Sequence, residues 1–360
     1  MIGHLAYAEG SPCPTLVLDS RPLPQSEDLL RDKLAEARRW MIASGAESVL
    51  KIALIAPSAH PLFDLDYRFV QALPGAGDGF EFRGSCGHSI LSSIMVASRQ
   101  GWLYRPSPGN RVRVNVLNNG DHVVAEVDEV NRTSSGFTVH FVYPEPKRLG
   151  ELLLLGVSTT ELALANTRVP VSMVSMGNPY VFVSAASLGV ATQEELFADD
   201  PQLFARLVTL RAAATEALGW PASGAFPKVA AIGQYRPGRL AARAISVPHW
   251  HPTLALTGTT CLGVAAAIED TIPYTLARQA GCPRGAIAVD TAGGATAVSV
   301  ATSGTSLGDT VSWVSVDRKF VRYLGSLDIA PFRHLALKEA TACLPLSASY
   351  ASISRPSTNS

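Results

Sequence analysis

Two side chains have types and settings that point to chemistry: a cysteine in a glycine-bracketed turn and a lysine among aliphatic residues. Cys86 sits in Gly84-Ser85-Cys86-Gly87-His88, just ahead of the small-residue stretch SILSSIMVA. A thiol at a helix N-terminus has its pKa lowered by unpaired backbone N–H groups, which suits acid/base or nucleophilic work. Lys51 lies in Leu50-Lys51-Ile52-Ala53-Leu54-Ile55. In a strand it shares a face with Val49, Ala53 and Ile55, and a partly buried ammonium of lowered pKa serves as a general base. The other reading is a lysine at a strand end that snorkels to water. Lys228, in Pro227-Lys228-Val229, carries the same two readings.

A second turn rich in small hydroxyl residues, TGTTCLGVAAAI from Thr257, also leads into a helix. Facing each other across a cleft, two such helix starts would receive one or two carboxylates, or an enolate forming from one. Ser85, Gly87 and His88 would line one end, and Gly258, Thr259 and Thr260 the other. The alternative is a pair of ordinary capped helices.

What must position these residues is written twice along the chain. Turns at Gly10-Ser11-Pro12 and Gly177-Asn178-Pro179 sit between strand-like residues. Each is followed by an amphipathic helix. The first has Ser26 as N-cap, Leu30, Leu34, Ala37 and Met41 on one face, and Gly45 as its stop; the second has Asp200-Pro201 as N-cap and N1, a Leu203, Leu207, Leu210 stripe, and Gly219. Lys51 and Lys228 then open apolar strands. After the two small-residue helices come hairpin signals around Asn119-Gly120 and Gly293-Gly294. Gly10 and Gly177 are 167 residues apart, and Lys51 and Lys228 are 177 apart. The architecture this implies is α/β (α+β): two similar domains, residues 1–168 and 169–330, with a cleft between them. Each wraps a curved, mostly antiparallel sheet or barrel around a helix of small residues. Residues 331–360 form a segment that returns to the first domain and ends in a Ser/Pro-rich tail, read as disordered.

Bulk properties narrow the function. Of 360 residues 47% are hydrophobic and 17% charged, and the formal net charge is zero, so neither a nucleic-acid surface nor an acidic tail is indicated. No signal peptide or membrane span is evident, and a cytoplasmic protein is expected. The five cysteines are odd in number and widely spaced, and His249 and His251 flank Trp250 without further ligands nearby; neither a disulfide framework nor a metal site is expected. Dinucleotide, P-loop and HExxH signatures are missing from the sequence. The partner expected is a small-molecule substrate, with no nucleic acid and no membrane.

Five stretches in order, VLKIALIAPS with DLDYRFVQ, GSCGHSILSSIMVA, SMGNPYVFVSAASLGV, RAAATEALGW with PKVAAI, and HPTLALTGTTCLGVAAAI, resemble the PrpF family of 2-methylaconitate isomerases and related tautomerases. SVDRKFVRYLG matches more weakly, and together these cover most of residues 1 to 330. The resemblance implies a diaminopimelate-epimerase-like fold with the active site between its two domains, no metal or organic cofactor, and, by analogy, a homodimer. It places Lys51 and Cys86 at the acid/base pair of an allylic 1,3-proton shift beside a carboxylate. Lys51 would remove the proton, and Lys51 or Cys86 would return it at another carbon. Ser11, Cys13, Asn178 and His251 fall in matching segments as further substrate-binding residues. The chain also departs from the family. Ala8-Glu9-Gly10-Ser11-Pro12-Cys13-Pro14 replaces an Arg-Gly-Gly-Thr-Ser-Lys-Gly stretch, Ser85-Cys86-Gly87-His88 replaces Asn-Cys-Gly-Asn, and Leu154-Leu155-Gly156 lacks the Pro-Thr of Leu-Pro-Thr-Gly. Fewer carboxylate-holding groups suggest a larger, less charged substrate, such as a specialised metabolite. A cyclase or epimerase using the same cleft, and a catalytically silent binding protein, are the alternatives.

Overall fold

The structure, a computed structural model, describes residues 1–335 with the exception of 76, 223, 247 and 248. The tail read as disordered, and Cys343 with it, lies outside the described residues. The chain makes the same succession of elements twice. In the first half, strands Ile2–Ala8 and Thr15–Asp19 precede an outer helix, Glu27–Ala43. Strands Lys51–Pro57, Leu65–Ala72 and Phe80–Glu81 follow, then an inner helix, Gly87–Arg99, and strands Arg111–Val116, Asp121–Val130 and Ser134–Arg148. The second half repeats this with Thr167–Met176, Asn178–Ser184, outer helix Pro201–Ala217, Lys228–Gly233, Arg239–Ser246 and His249–Trp250. Its inner helix, Leu256–Ala265, is followed by Ala286–Thr291, Gly294–Thr302 and Thr310–Asp328.

Local chemistry sets these boundaries. Gly10 and Gly177 take φ of +80° and +75° in the matching turns, a conformation that costs a residue with a Cβ far more. The Ser26 hydroxyl accepts from the Leu29 amide and the Asp200 carboxylate from the Gln202 amide, each satisfying a free N–H at its helix start. Gly45 and Gly219, both left-handed, lie just past the two helix ends.

In each half the strand after the outer helix runs parallel to the one before it, and the remaining hairpins are antiparallel. In the first half the strands close into a barrel of eight, because the last strand of the chain, Thr310–Asp328, fills the gap between Ser134–Arg148 and Ile2–Ala8. Its opening residues pair with Gly294–Thr302 of the second half, so this one strand belongs to both sheets. The second sheet is not sealed by a ladder; it is bordered by Thr160–Leu164 and a single bridge from Leu153 to Val174.

Both inner helices are buried on every side, from Gly87 to Ala97 and from Leu256 to Ala265. Small residues permit this: a Cβ on Gly263 would lie 2.6 Å from Val298 Cγ2. The outer helices bury the single faces read from their spacing. One expectation fails here. Val49 packs with the outer helix, whereas Ala53 and Ile55 face the inner one. The strand begins at Lys51, so its alternation does not extend back to Val49. Among the described residues no helix is long and apolar enough to cross a membrane.

Beyond the last strand, the Ile329 amide donates to the Met1 carbonyl at 2.9 Å. Phe332 is fully buried with Leu16, Leu18 and Leu30 on the outside of the first barrel. Phe332→Ala should therefore cost about 3–5 kcal/mol in denaturant unfolding. A loss under about 1 kcal/mol would mean that this segment is not docked.

Candidate active site

Lys51, at the first position of its strand, pairs with Thr15 on one side and Gln71 on the other. The residue is buried, and Nζ donates to Ser11 Oγ at 2.7 Å. The Ser11 hydroxyl in turn donates to the Cys13 carbonyl at 2.8 Å. The left-handed Gly10 turn thus aims a hydroxyl at the lysine. Cys13 contributes its backbone; its thiol is buried, and Pro12 is the residue of this loop that lines the cavity.

Cys86 is the N-cap of the first inner helix, in extended conformation and nearly buried. Burial alone would push its thiol pKa up. The Lys51 ammonium and the hydroxyl and amide of Ser89 outweigh it and hold the thiol below its ordinary value. Ser89 is fixed by Thr15, whose hydroxyl lies 3.0 Å away, and the Tyr67 hydroxyl donates to the Cys86 carbonyl. Thus the strand that neighbours Lys51 also orients the group next to Cys86.

Asn178 ties the two halves together at this point. Its Oδ1 accepts from the Ser85 amide, and its Nδ2 donates to the Ser85 carbonyl and to Thr257 Oγ1, at 2.9 and 3.0 Å. Gly87 abuts Leu256: a Cβ there would stand 2.6 Å from Leu256 Cδ2. The first residues of the two inner helices therefore touch across the seam. Of the second helix it is Thr257 that lines the cavity. Gly258 packs against Tyr180, and the Thr259 and Thr260 hydroxyls donate to the Ala255 and Leu256 carbonyls of their own helix. These three residues do not reach the cavity that Ser85, Cys86 and Asn178 line.

That cavity measures about 50 Å³, room for a few water molecules. At this site the enclosed space does not exceed the size of a small acid. Its wall includes Lys51, Cys86, Glu81, Tyr180, Lys228 and His251. Lys228 was not among the expected site residues; the signal that points to it is the repeat, which makes it the counterpart of Lys51 at the first position of the equivalent strand. Its ammonium stands over the Phe226 ring at 5.5 Å, and its pKa is brought down to about 8 by burial first, then by Arg211 and Lys51. Glu81 is already held by Arg83, whose pull overcomes the upward effect of burial on its carboxyl. The cavity therefore offers two ammonium groups to an incoming anion.

Behind Cys86, His88 and His251 stack with ring centres 6.2 Å apart. Burial first, and then the charge of Lys51, lower both, His251 to about 3 and His88 well below its ordinary value. Both are neutral at physiological pH. His251 Nδ1 engages the Thr253 backbone, whereas both His88 nitrogens lack a partner among the described residues. His88 does not line the cavity. Among the described residues no three His, Cys, Asp or Glu side chains converge as a metal site would need.

The profile of a family described as PrpF protein matches residues 41–325. A 3-methylitaconate isomerase from Eubacterium barkeri is 26% identical over 314 residues, which span 74% of this chain and 82% of the relative. Among solved structures, a methylitaconate-delta-isomerase superposes with a TM-score of 0.61 at 21% identity, covering 92% of this chain and 97% of that one. A hydroxyproline epimerase from Agrobacterium vitis gives 0.58 at 15%, covering 91% and 92%. At these identities the two structures establish a shared fold.

The geometry around Cys86 has a direct spectroscopic consequence. The ultraviolet thiolate absorbance lost in Cys86→Ser should titrate below the ordinary cysteine value of about 8.5. Lys51→Met removes the leading stabiliser of the thiolate and should move that midpoint to higher pH. An unmoved midpoint would mean that the lysine does not act on the sulfur.

Proposed function

Since this chain belongs to the PrpF family and is an isomerase, we propose that its reaction is a 1,3-proton shift on a small unsaturated carboxylic acid. The observation that carries this reading is the Lys51–Cys86 pair, buried together at the joint between the halves and facing a cavity with a second lysine. A lowered thiol beside an ammonium is a base beside an acid. In one direction the Cys86 thiolate takes the proton from the carbon next to the double bond, and the electron pair spreads toward the carboxylate as a dienolate. Lys51 gives a proton to the carbon at the far end of the allylic system. Transfer from the Cys86 thiol to the Lys51 amine then restores the starting pair. In the other direction the roles exchange, and Lys51 is the base.

Lys51 and Cys86 come from the same half and act on each other, so the proton is proposed to leave and return on one face of the substrate. Ser11 holds the lysine in place during both transfers. The N–H groups at the start of the first inner helix face the developing negative charge, where fixed dipoles in a water-poor site are most effective. Lys228, across the seam, is assigned to the substrate carboxylate. Two ammonium groups and little space favour a small anionic acid over the larger, less charged molecule that the sequence departures suggest. Such an acid enters when the halves part, because 50 Å³ does not hold it. The relatives named for methylitaconate support this substrate class.

Proton exchange followed by NMR in D₂O, with small unsaturated acids as substrates, tests the reaction. Deuterium should enter the allylic carbon with wild type, and the rate should fall about 10²–10⁴-fold in Lys51→Ala and Cys86→Ala. Exchange that persists in both variants would sink the mechanism. Lys228→Met should raise KM about tenfold or more while leaving kcat nearly unchanged, as expected for a contact made equally in ground and transition states. A loss confined to kcat would place Lys228 in the chemistry instead.

A further inference from the structure

A second cavity, of about 280 Å³, lies where the two halves meet. It is lined by Gly10 and Thr253, one from each half, and by Thr291, Gly293, Arg318 and Lys319. Its walls are tight. The Thr253 hydroxyl donates to the Gly10 carbonyl at 3.0 Å, and a Cβ on Gly293 would lie 2.6 Å from the Pro252 carbonyl oxygen.

Lys319 is 7% exposed as a residue, and its ammonium, which is not sealed from solvent, has no hydrogen-bond or ion-pair partner among the described residues. It does not reach this position by regular alternation. The register between Thr310–Asp328 and Ser134–Arg148 shifts between Val316 and Lys319, and Arg318 within the bulge takes φ +45°. A bulge with a left-handed non-glycine residue re-aims the side chain after it and is retained where something compensates its strain. A buried ammonium without a counter-ion is costly in the same way.

We infer that this second cavity is a binding site for a small oxyanion, a carboxylate or a phosphate, with Lys319 as its counter-ion and Arg318 at its mouth. The chemistry is that of a charge-assisted hydrogen bond in a water-poor pocket. Burial is the sole cause that brings the Lys319 pKa down to about 8, so no neighbouring carboxylate already fills this role. Glu9 lines the cavity, but its carboxylate does not pair with Lys319 among the described residues. An anion keeps the ammonium charged, so its affinity falls as pH rises through about 8. The charged or titratable groups facing Lys319 are Glu9, Arg318, His88 and His251. Lys319 acts electrostatically on His88 and His251, and His251 also lines the catalytic cavity. Occupancy of the second site is thereby felt at the first.

Calorimetric titration with inorganic phosphate and with acetate tests this, using Lys228→Met as the parent so that binding at the catalytic cavity is weakened. The parent should bind one of the two probes saturably, and the tighter probe distinguishes a phosphoryl from a carboxyl ligand. Adding Lys319→Met should weaken that binding about tenfold or more, and Lys319→Arg should retain it. Lys319→Gln replaces Lys319→Met if the latter does not fold. No saturable binding to the parent, or equal affinity after loss of the Lys319 charge, overturns the assignment.

Discussion

One electrostatic constraint organises this molecule: an ammonium and a thiol must stay within reach of each other in a place from which water is largely removed. Neither group tolerates burial alone, since each is pushed toward its neutral form. Together, with Ser11 on the nitrogen and Ser89 near the sulfur, each has a partner, and the lysine holds the thiol below its ordinary value. The surrounding fold is arranged to keep that distance. One strand starts on the lysine, its parallel neighbour carries Thr15 to Ser89, and the inner helix starts on the cysteine.

The duplication supplies the enclosure but is not symmetric in chemistry. The N-cap of the first inner helix is Cys86, and that of the second is Ala255. Lysines open the equivalent strands in both halves, yet among the described residues only Lys51 has a hydroxyl partner, because Ser11 in the first turn corresponds to Asn178 in the second. Asn178 spends its amide on Ser85 and Thr257 and so joins the halves. One copy holds the lysine–cysteine pair, and the other supplies the Asn178 clamp and a second lysine.

Much of this was legible from the residues because it depends on local rules. Turn glycines, capping side chains and lysines at strand starts all recur at matched positions, and the two-fold organisation follows from them. The Gly258–Thr260 segment was misplaced because the helix begins at Leu256, and hydroxyls four residues along a helix turn back to its own carbonyls. What could not be read depends on pairing between distant strands. The bulge that aims Lys319 exists only in register with Ser134–Arg148, and the size of the catalytic cavity depends on how closely Gly87 meets Leu256.

The strand shared by both sheets also sets an order of events during synthesis. The first barrel is missing one stave until residues 310–328 have been made, so Ile2–Ala8 and Ser134–Arg148 each wait with an open edge while the second half emerges. Contacts spanning most of the chain are slow to form, and unpaired strand edges are sticky in the interval. A ribosome that stalls within the second half would release a chain in which Lys51 and Cys86 are both already present, in a barrel that cannot shut.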